Sequence, residues 1–268
     1  MTKSFAEPFG GPFRKSVPLT STPLVSVLTQ VRFEEIKKIN TDADFTADFQ
    51  EAIRRHYPLS VEETGHLIEV EPDGVRRSNR RTLRYMNAKK TERVTLTADS
   101  VALETRNYDS RAEFYGRLKN VCVALQETLE PQLVMRLGVR YVDQIYGARF
   151  DARARYINPN FLSPFLNEHS DAIVLNTNKL VAQTNEGNIA ARWGFLNPGD
   201  THDAEVMPAL DTECWFLDID SATHHPEPVA FDPKAIHDGA IKLSGRAYAL
   251  FRHIVTDELL VECGGDLK

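Results

Sequence analysis

The sequence predicts an α+β fold in which largely antiparallel sheets carry helices on one face. Three consecutive patterns between residues 91 and 145 lead to this prediction: a β-hairpin, a capped amphipathic helix and a further strand. In this order they are typical of helices that pack across an antiparallel sheet.

The hairpin is indicated by apolar residues that alternate with polar ones on both sides of a short turn. Val94 and Leu96 alternate with threonines, Ala98-Asp99-Ser100 reverses the chain, and Val101 and Leu103 resume the alternation. A period of two gives each strand one buried face.

The helix begins at a capping box, in which Ser110 and Glu113 satisfy backbone amides of the first turn. Pro131 lies just beyond its end, and Leu133 to Ile145 then alternates as a further strand. Helical spacing places six apolar residues on one face: Phe114, Leu118, Val121, Cys122, Leu125 and Leu129.

Upstream, the proline- and glycine-rich residues 1–23 predict an irregular arm. Next come a strand over Val25–Phe33, a helix from about Thr41 to His56, and strands over His66–Val70 and Thr82–Met86 around a turn at Pro72-Asp73-Gly74. The first half is therefore predicted to be ferredoxin-like.

Downstream, a loop near residues 147–156 leads to a short helix at Asn158-Pro159. A hairpin is predicted with strands over Ala172–Gln183 and Asn188–Leu196, and after the loop Asn197–Asp211 a strand covers Cys214–Asp220.

The longest helix is predicted to start with Asp232 as N-cap and Pro233 in its first turn. Its apolar stripe indicates either packing within the chain or a helix–helix dimer seam. The stripe consists of Ile236, Ala240, Leu243, Ala247, Leu250 and Ile254.

Both halves follow the order hairpin, strand and long helix, so the second is a possible degenerate repeat of the first. We expect the arm 1–23, a first α+β unit over 24–148 and a second over 156–268. A single fused domain is the alternative.

Composition predicts a globular protein with a packed core, because 42% of the 268 residues are hydrophobic. The sequence has no run of 18 apolar residues, and its first residues lack the continuous apolar segment of a signal peptide. We therefore expect a cytoplasmic location and no membrane partner. Three widely spaced cysteines indicate reduced, structural thiols.

The net charge of −6 is unevenly distributed, since residues 76–93 are basic and residues 200–238 are acidic. Guanidinium groups match phosphate oxygens in pairs, so the basic segment is a candidate site for nucleotide or nucleic acid, with Tyr85 available for stacking. The candidate anion ligands are Arg76, Arg77, Arg80, Arg81 and Arg84. The alternatives are a solvated hairpin edge, or a patch that meets the acidic half of a second copy.

Arg136 and Arg140 fall on the polar side of an otherwise buried strand, where arginines need partners. The strand period places Asp143 on the opposite face, so it cannot serve. We therefore include both arginines among the candidate anion-binding residues.

One acidic cluster is a candidate metal site. Asp218 and Asp220 share a strand face by period two, and His224 follows closely. Two carboxylates of this kind can bind Mg²⁺ or Mn²⁺ in a nuclease or phosphodiesterase. The alternative is that they are charge partners or a solvated edge, and we assign no resident metal or other cofactor.

Four segments resemble a sporadically distributed family of uncharacterised prokaryotic proteins of about this length: Pro23 to Phe33, Val94 to Tyr108, Arg136 to Ile145 and Phe251 to Leu259. The pairs Arg140-Tyr141 and Thr256-Asp257 match that family's pattern, which supplies no catalytic residue. Its patchy distribution is typical of mobile accessory genes, including defence and toxin–antitoxin loci.

We therefore predict a non-catalytic interaction or regulatory protein, with a protein partner or a second copy of itself, in such a mobile module. The alternatives are a divalent-metal nuclease or phosphodiesterase, and a module that binds nucleotide or nucleic acid through residues 76–93.

Overall fold

The computed structural model describes residues 5–71, 74–162, 173, 175–223 and 227–267, with backbone only for 66–71 and 74–79. Over these residues the mixed α+β class with a large antiparallel sheet is confirmed, and the ferredoxin-like arrangement of the first half stays a prediction. The strands are β1 Leu24–Phe33, β2 Leu59–Glu71, β3 Gly74–Met86, β4 Glu92–Thr97, β5 Ser100–Thr105, β6 Leu133–Tyr146, β7 Asn176–Gln183, β8 Gly187–Leu196, β9 Cys214–Thr223 and β10 Val229–Ala230.

The helices include two long ones, and both carry the predicted caps. Ser110 Oγ accepts a hydrogen bond from the Glu113 amide, and Asp232 Oδ1 accepts one from the Lys234 amide. The helices are α1 Lys38–Thr41, α2 Ala47–Ile53, α3 Arg111–Leu129, α4 Ala148–Asp151, α5 Arg153–Tyr156, α6 Pro233–Ile254 and α7 Asp257–Glu262, with 3₁₀ turns at Asp44–Thr46 and Pro159–Phe161.

The chain divides into two compact units, each assembled from separated stretches. Unit 1 comprises Met1–Val27, Val139–His224 and Lys242–Lys268, and unit 2 comprises Leu28–Gly138 and His225–Ile241. The division falls within β1, β6 and α6.

In unit 2 the strands follow the order β2-β3-β4-β5-β1, and β10 pairs with the start of β6. All six apolar residues of the α3 stripe are buried, and α2 packs beside α3. Phe49 of α2 meets Tyr85 of β3 edge to face, with ring centroids 5.8 Å apart.

In unit 1 the strands follow the order β6-β9-β8-β7, with β8 antiparallel to both β7 and β9. One sheet face packs on α6 and α7 through Trp215, Leu217 and Ile219. The opposite face carries a smaller apolar cluster, in which Phe216 contacts residues of the 197–211 loop. The six apolar positions of α6 are all buried within the chain.

Three predicted elements differ from the structure. The helix expected from Thr41 to His56 is interrupted, because Asp42 is extended and its carboxylate accepts hydrogen bonds from the amides of Asp44 and Phe45. Strands β2 and β3 are longer than predicted, and the turn at Pro72-Asp73 lies outside the described residues. The loop expected at 147–156 contains α4 and α5.

The arm at residues 5–23 has no helix or strand, as predicted, and it is fixed to unit 1. The fully buried guanidinium of Arg246 donates to the carbonyls of Pro8, Gly10 and Gly11, and also to both carboxylate oxygens of Glu186. The Val17 amide donates to the Tyr248 hydroxyl at 3.0 Å, so hydrogen bonds hold the arm along its length.

Candidate functional site

The basic segment lies mainly on β3, and Arg80, Arg81 and Arg84 form ion pairs with carboxylates of the same unit. Arg80 pairs with Asp99 and Arg84 with Glu63, with N to O distances of 3.1 and 2.7 Å. Arg76 and Arg77 are on β3, and their side chains lie outside the described residues. Much of the positive charge that the sequence presents as one patch is therefore balanced locally.

Arg81 is the most completely bound of these arginines. It forms a bidentate pair with Glu62 at 2.6 and 2.9 Å, and its Nη1 donates to the carbonyls of Ile39 and Asp42 and to the Thr46 hydroxyl. The hydrogen bonds that Arg81 donates to Glu62 raise the pKa of Arg81 and lower the pKa of Glu62. Arg81 therefore joins β3 to the α1 region, and its donors already have acceptors.

Arg140 of β6 and Asp218 of β9 form a bidentate pair in unit 1. Arg140 Nε and Nη2 donate to the two Asp218 oxygens at 2.8 and 2.9 Å. Arg140 Nη2 also lies 2.9 Å from Asp203 in the 197–211 loop. Burial lowers the pKa of Arg140, but the hydrogen bonds to these two carboxylates outweigh it and hold the pKa above its ordinary value.

His202 covers this ion pair from the loop. Its ring stacks on Phe216 at 4.8 Å between centroids, and its Nε2 is 3.3 Å from Asp218 Oδ2. The direction of approach does not satisfy a hydrogen bond, so Nε2 has no hydrogen-bond partner among the described residues. The loop that the sequence predicts at the surface is thus attached to the sheet by stacking and by the Arg140–Asp203 pair.

Asp143 is buried on the opposite face of β6, as the strand period predicts. Within the described residues no hydrogen bond to its carboxylate is found. Burial, followed by the negative charge of Asp218, raises the pKa of Asp143 to about 7.

Asp220 lies on the same strand face as Asp218, opposite Ala190 of β8, and His224 lies outside the described residues. A metal ion at Asp218 would have to compete with Arg140 for both carboxylate oxygens. Among the residues that the structure describes, no group of three or more His, Cys, Asp and Glu side chains is arranged to hold a metal.

Arg136 lies on β6 in unit 2, with its guanidinium folded over Gly138. A Cβ at that glycine would stand 2.6 Å from Nη1 of Arg136. The three cysteines are free and buried, and burial raises the pKa of the Cys122 thiol to about 12.

A further feature of unit 1 is the outer edge of β7. Strand β7 ends the strand order of unit 1, and in the described part of the chain it pairs only with β8. The Thr184 amide donates to the Gly187 carbonyl, so the backbone groups of Thr184 point toward β8. In an antiparallel ladder every second residue does the same, and the residues between them point their backbone groups away from the neighbouring strand. The backbone N–H and C=O groups that point away from β8 therefore belong to Thr177, Lys179, Val181 and Gln183, and we call this row the β7 edge.

The β7 edge has few of the features that usually protect an exposed strand. Lys179 is the one charged residue among its eight, and the strand has no proline. The Val181 side chain is 64% exposed, and Leu175 just before the strand is 66% exposed. By contrast β2, which ends the strand order of unit 2, carries four glutamates in thirteen residues.

Two cationic side chains lie beside this edge. Lys179 stands directly opposite Arg192 of β8, so the two share one sheet face, and both are exposed. Arg192 in turn faces Asp218 of β9, whose oxygens are bound by Arg140. Neither Lys179 nor Arg192 has an ion-pair partner among the described residues.

No family model and no curated protein matches the chain. The family resemblance drawn from the sequence therefore stays a prediction. No helix among the described residues is long and apolar enough to cross a membrane.

Proposed function

We propose that this chain is a non-catalytic interaction protein that binds an extended segment of a partner protein as an additional strand on β7. The observation that carries the proposal is the β7 edge itself. Four residues present outward backbone donors and acceptors over roughly 20 Å, and Lys179 is the one charged side chain in the strand.

Strand addition derives affinity from main-chain hydrogen bonds and specificity from neighbouring side chains. The exposed Val181 offers an apolar contact on the open sheet face, and Leu175 extends the apolar surface just before the strand. The polar residues that could instead perform chemistry, Arg140 and Asp218, are bound to each other. This arrangement supports binding rather than catalysis.

The family resemblance supports a role for this partner in a mobile defence or toxin–antitoxin module. That part of the proposal rests on the resemblance alone.

The test is a selection of random peptides of about ten residues, long enough to cover β7, on the purified chain. Val181→Pro is the blocking variant, because its proline removes only an outward amide and leaves the ladder to β8 intact. Val181→Thr is the matched control, since it keeps the amide and the strand propensity.

We expect enriched peptides that bind the wild type and Val181→Thr, and lose binding to Val181→Pro. Thermal unfolding verifies that each variant is folded, and Thr177→Pro repeats the block at a second outward amide. Equal binding of the selected peptides to both folded proline variants would overturn the proposal, as would a selection that enriches nothing.

A further inference from the structure

The cations beside the β7 edge define the chemistry of the segment that binds there. Lys179 and Arg192 are cross-strand neighbours of like charge, an arrangement that is unfavourable unless an anion lies between or above them. The nearest acid in the strand register, Asp218, is buried and bound by Arg140. Among the described residues, neither Lys179 nor Arg192 therefore forms an ion pair with a carboxylate.

We infer that the partner segment is acidic, with carboxylate side chains that lie over Lys179 and Arg192 when the segment pairs with β7. This inference rests on the proposed function. An added strand points alternate side chains to the sheet face shared by Lys179, Val181 and Arg192. In a segment that alternates apolar and acidic residues, one of the two possible registers places all of its acidic side chains on this face and its apolar side chains on the opposite face.

A second copy of this chain is a poorer occupant of the same edge. Pairing of two β7 strands about a two-fold axis brings the same surface patch from both copies together. Lys179 and Arg192 of both copies would then lie on one face of the joined sheet, and like charges on one face repel. The charges therefore favour a different, acidic chain over self-association at this edge.

The experiment compares three peptides of about ten residues, the length that covers β7. They alternate valine with glutamate, with glutamine or with lysine, and fluorescence anisotropy measures their binding to the full chain. Exposed ion pairs are individually weak, so we expect the glutamate peptide to bind about tenfold more tightly than the glutamine peptide, and the lysine peptide to bind least. High salt should reduce the difference.

The charge-reversal variant Lys179→Glu/Arg192→Glu should invert this order, because both side chains are exposed and lie outside the ladder hydrogen bonds. Glu213→Lys, at an exposed position before β9, is the control for a general change of net charge and should keep the wild-type order.

Equal binding of the glutamate and glutamine peptides would overturn the inference while leaving strand addition intact, provided that Val181→Pro abolishes both. Failure of all three peptides, together with an empty random selection, would overturn strand addition as well. A wild-type dimer that becomes a monomer in Val181→Pro, measured by sedimentation, would show that a second copy occupies the edge and would overturn the acidic-partner inference.

Discussion

Arg140 and Asp218 are each other's main partner, joined by two parallel hydrogen bonds between β6 and β9. In the sequence alone, Arg140 is a candidate anion ligand and Asp218 is a candidate metal ligand. In the structure each supplies the counter-charge that the other needs, and the Asp218 side chain is only 4% exposed.

Asp218→Asn should destabilise the protein by about 3 kcal/mol, because it leaves the Arg140 guanidinium largely buried without its principal carboxylate. Urea unfolding measures the loss. Glu213→Gln, at an exposed position, is the control and should change the free energy of unfolding by less than about 0.5 kcal/mol. Equal stabilities of the two variants would contradict the assignment of a structural pair.

Asp143 should make stability fall as pH rises from about 4 to about 7. Its folded pKa, about 7, lies above the unfolded value of about 4, so the folded state holds a proton that the unfolded state has released. The contribution is fully present below pH 4 and is lost between about pH 4 and 7, with a total of roughly 3 to 4 kcal/mol.

Asp143→Asn removes this titration and should flatten the decline of the free energy of unfolding between pH 5 and 8. Urea unfolding at both pH values provides the comparison, and Asp211→Asn at an exposed position is the control. A parallel decline in Asp143→Asn and the wild type would show that other groups determine the pH dependence.

Arg246→Met should release the N-terminal arm and destabilise unit 1 by about 3 to 5 kcal/mol, since it removes the buried partner of Glu186 and three arm carbonyls. Limited trypsin digestion should then cut faster after Arg14 and Lys15. Lys242→Met, on an exposed position of the same helix, should leave the digestion rate unchanged. Equal cleavage in both variants would mean that Arg246 does not hold the arm.

Arg81→Gln should cost about 2 to 4 kcal/mol, because the Glu62 carboxylate and the carbonyls of Ile39 and Asp42 lose a shared donor. Lys89→Gln, in the exposed β3–β4 turn, is the control. Thermal unfolding measures both, and Arg81 would be reassigned as a free surface cation if its substitution proved as neutral as that of Lys89.

Local signals in the sequence identified most elements correctly. The Ser110 and Asp232 caps and the α6 stripe depend on neighbouring residues only, and each appears in the structure as predicted. The continuous helix predicted near Thr41 is wrong. The periodicity of Phe45, Phe49 and Ile53 predicts a helix, but it contains no information on the Asx-type hydrogen bonds of Asp42 that interrupt it.

The candidate site was less predictable because it depends on which strands become neighbours. Pairing of Arg81 with Glu62 requires β2 beside β3 in a specific register, and pairing of Arg140 with Asp218 requires β9 beside β6. The hairpin β7–β8 was predicted, but its position at the end of the strand order was not. A strand with one lysine and no acidic residue was the available signal that this edge is unprotected.

The attachment of the arm to α6 also constrains how the protein is made. The Val17 amide and its Tyr248 acceptor are 231 residues apart, and unit 1 draws on stretches from both sides of unit 2 in the chain. During synthesis the arm leaves the ribosome long before the helix that holds it, so unit 1 cannot close until α6 has emerged. We therefore expect the arm and β1 to reach their final contacts only after α6 has been synthesised. The late synthesis of α6 then limits the rate at which unit 1 forms.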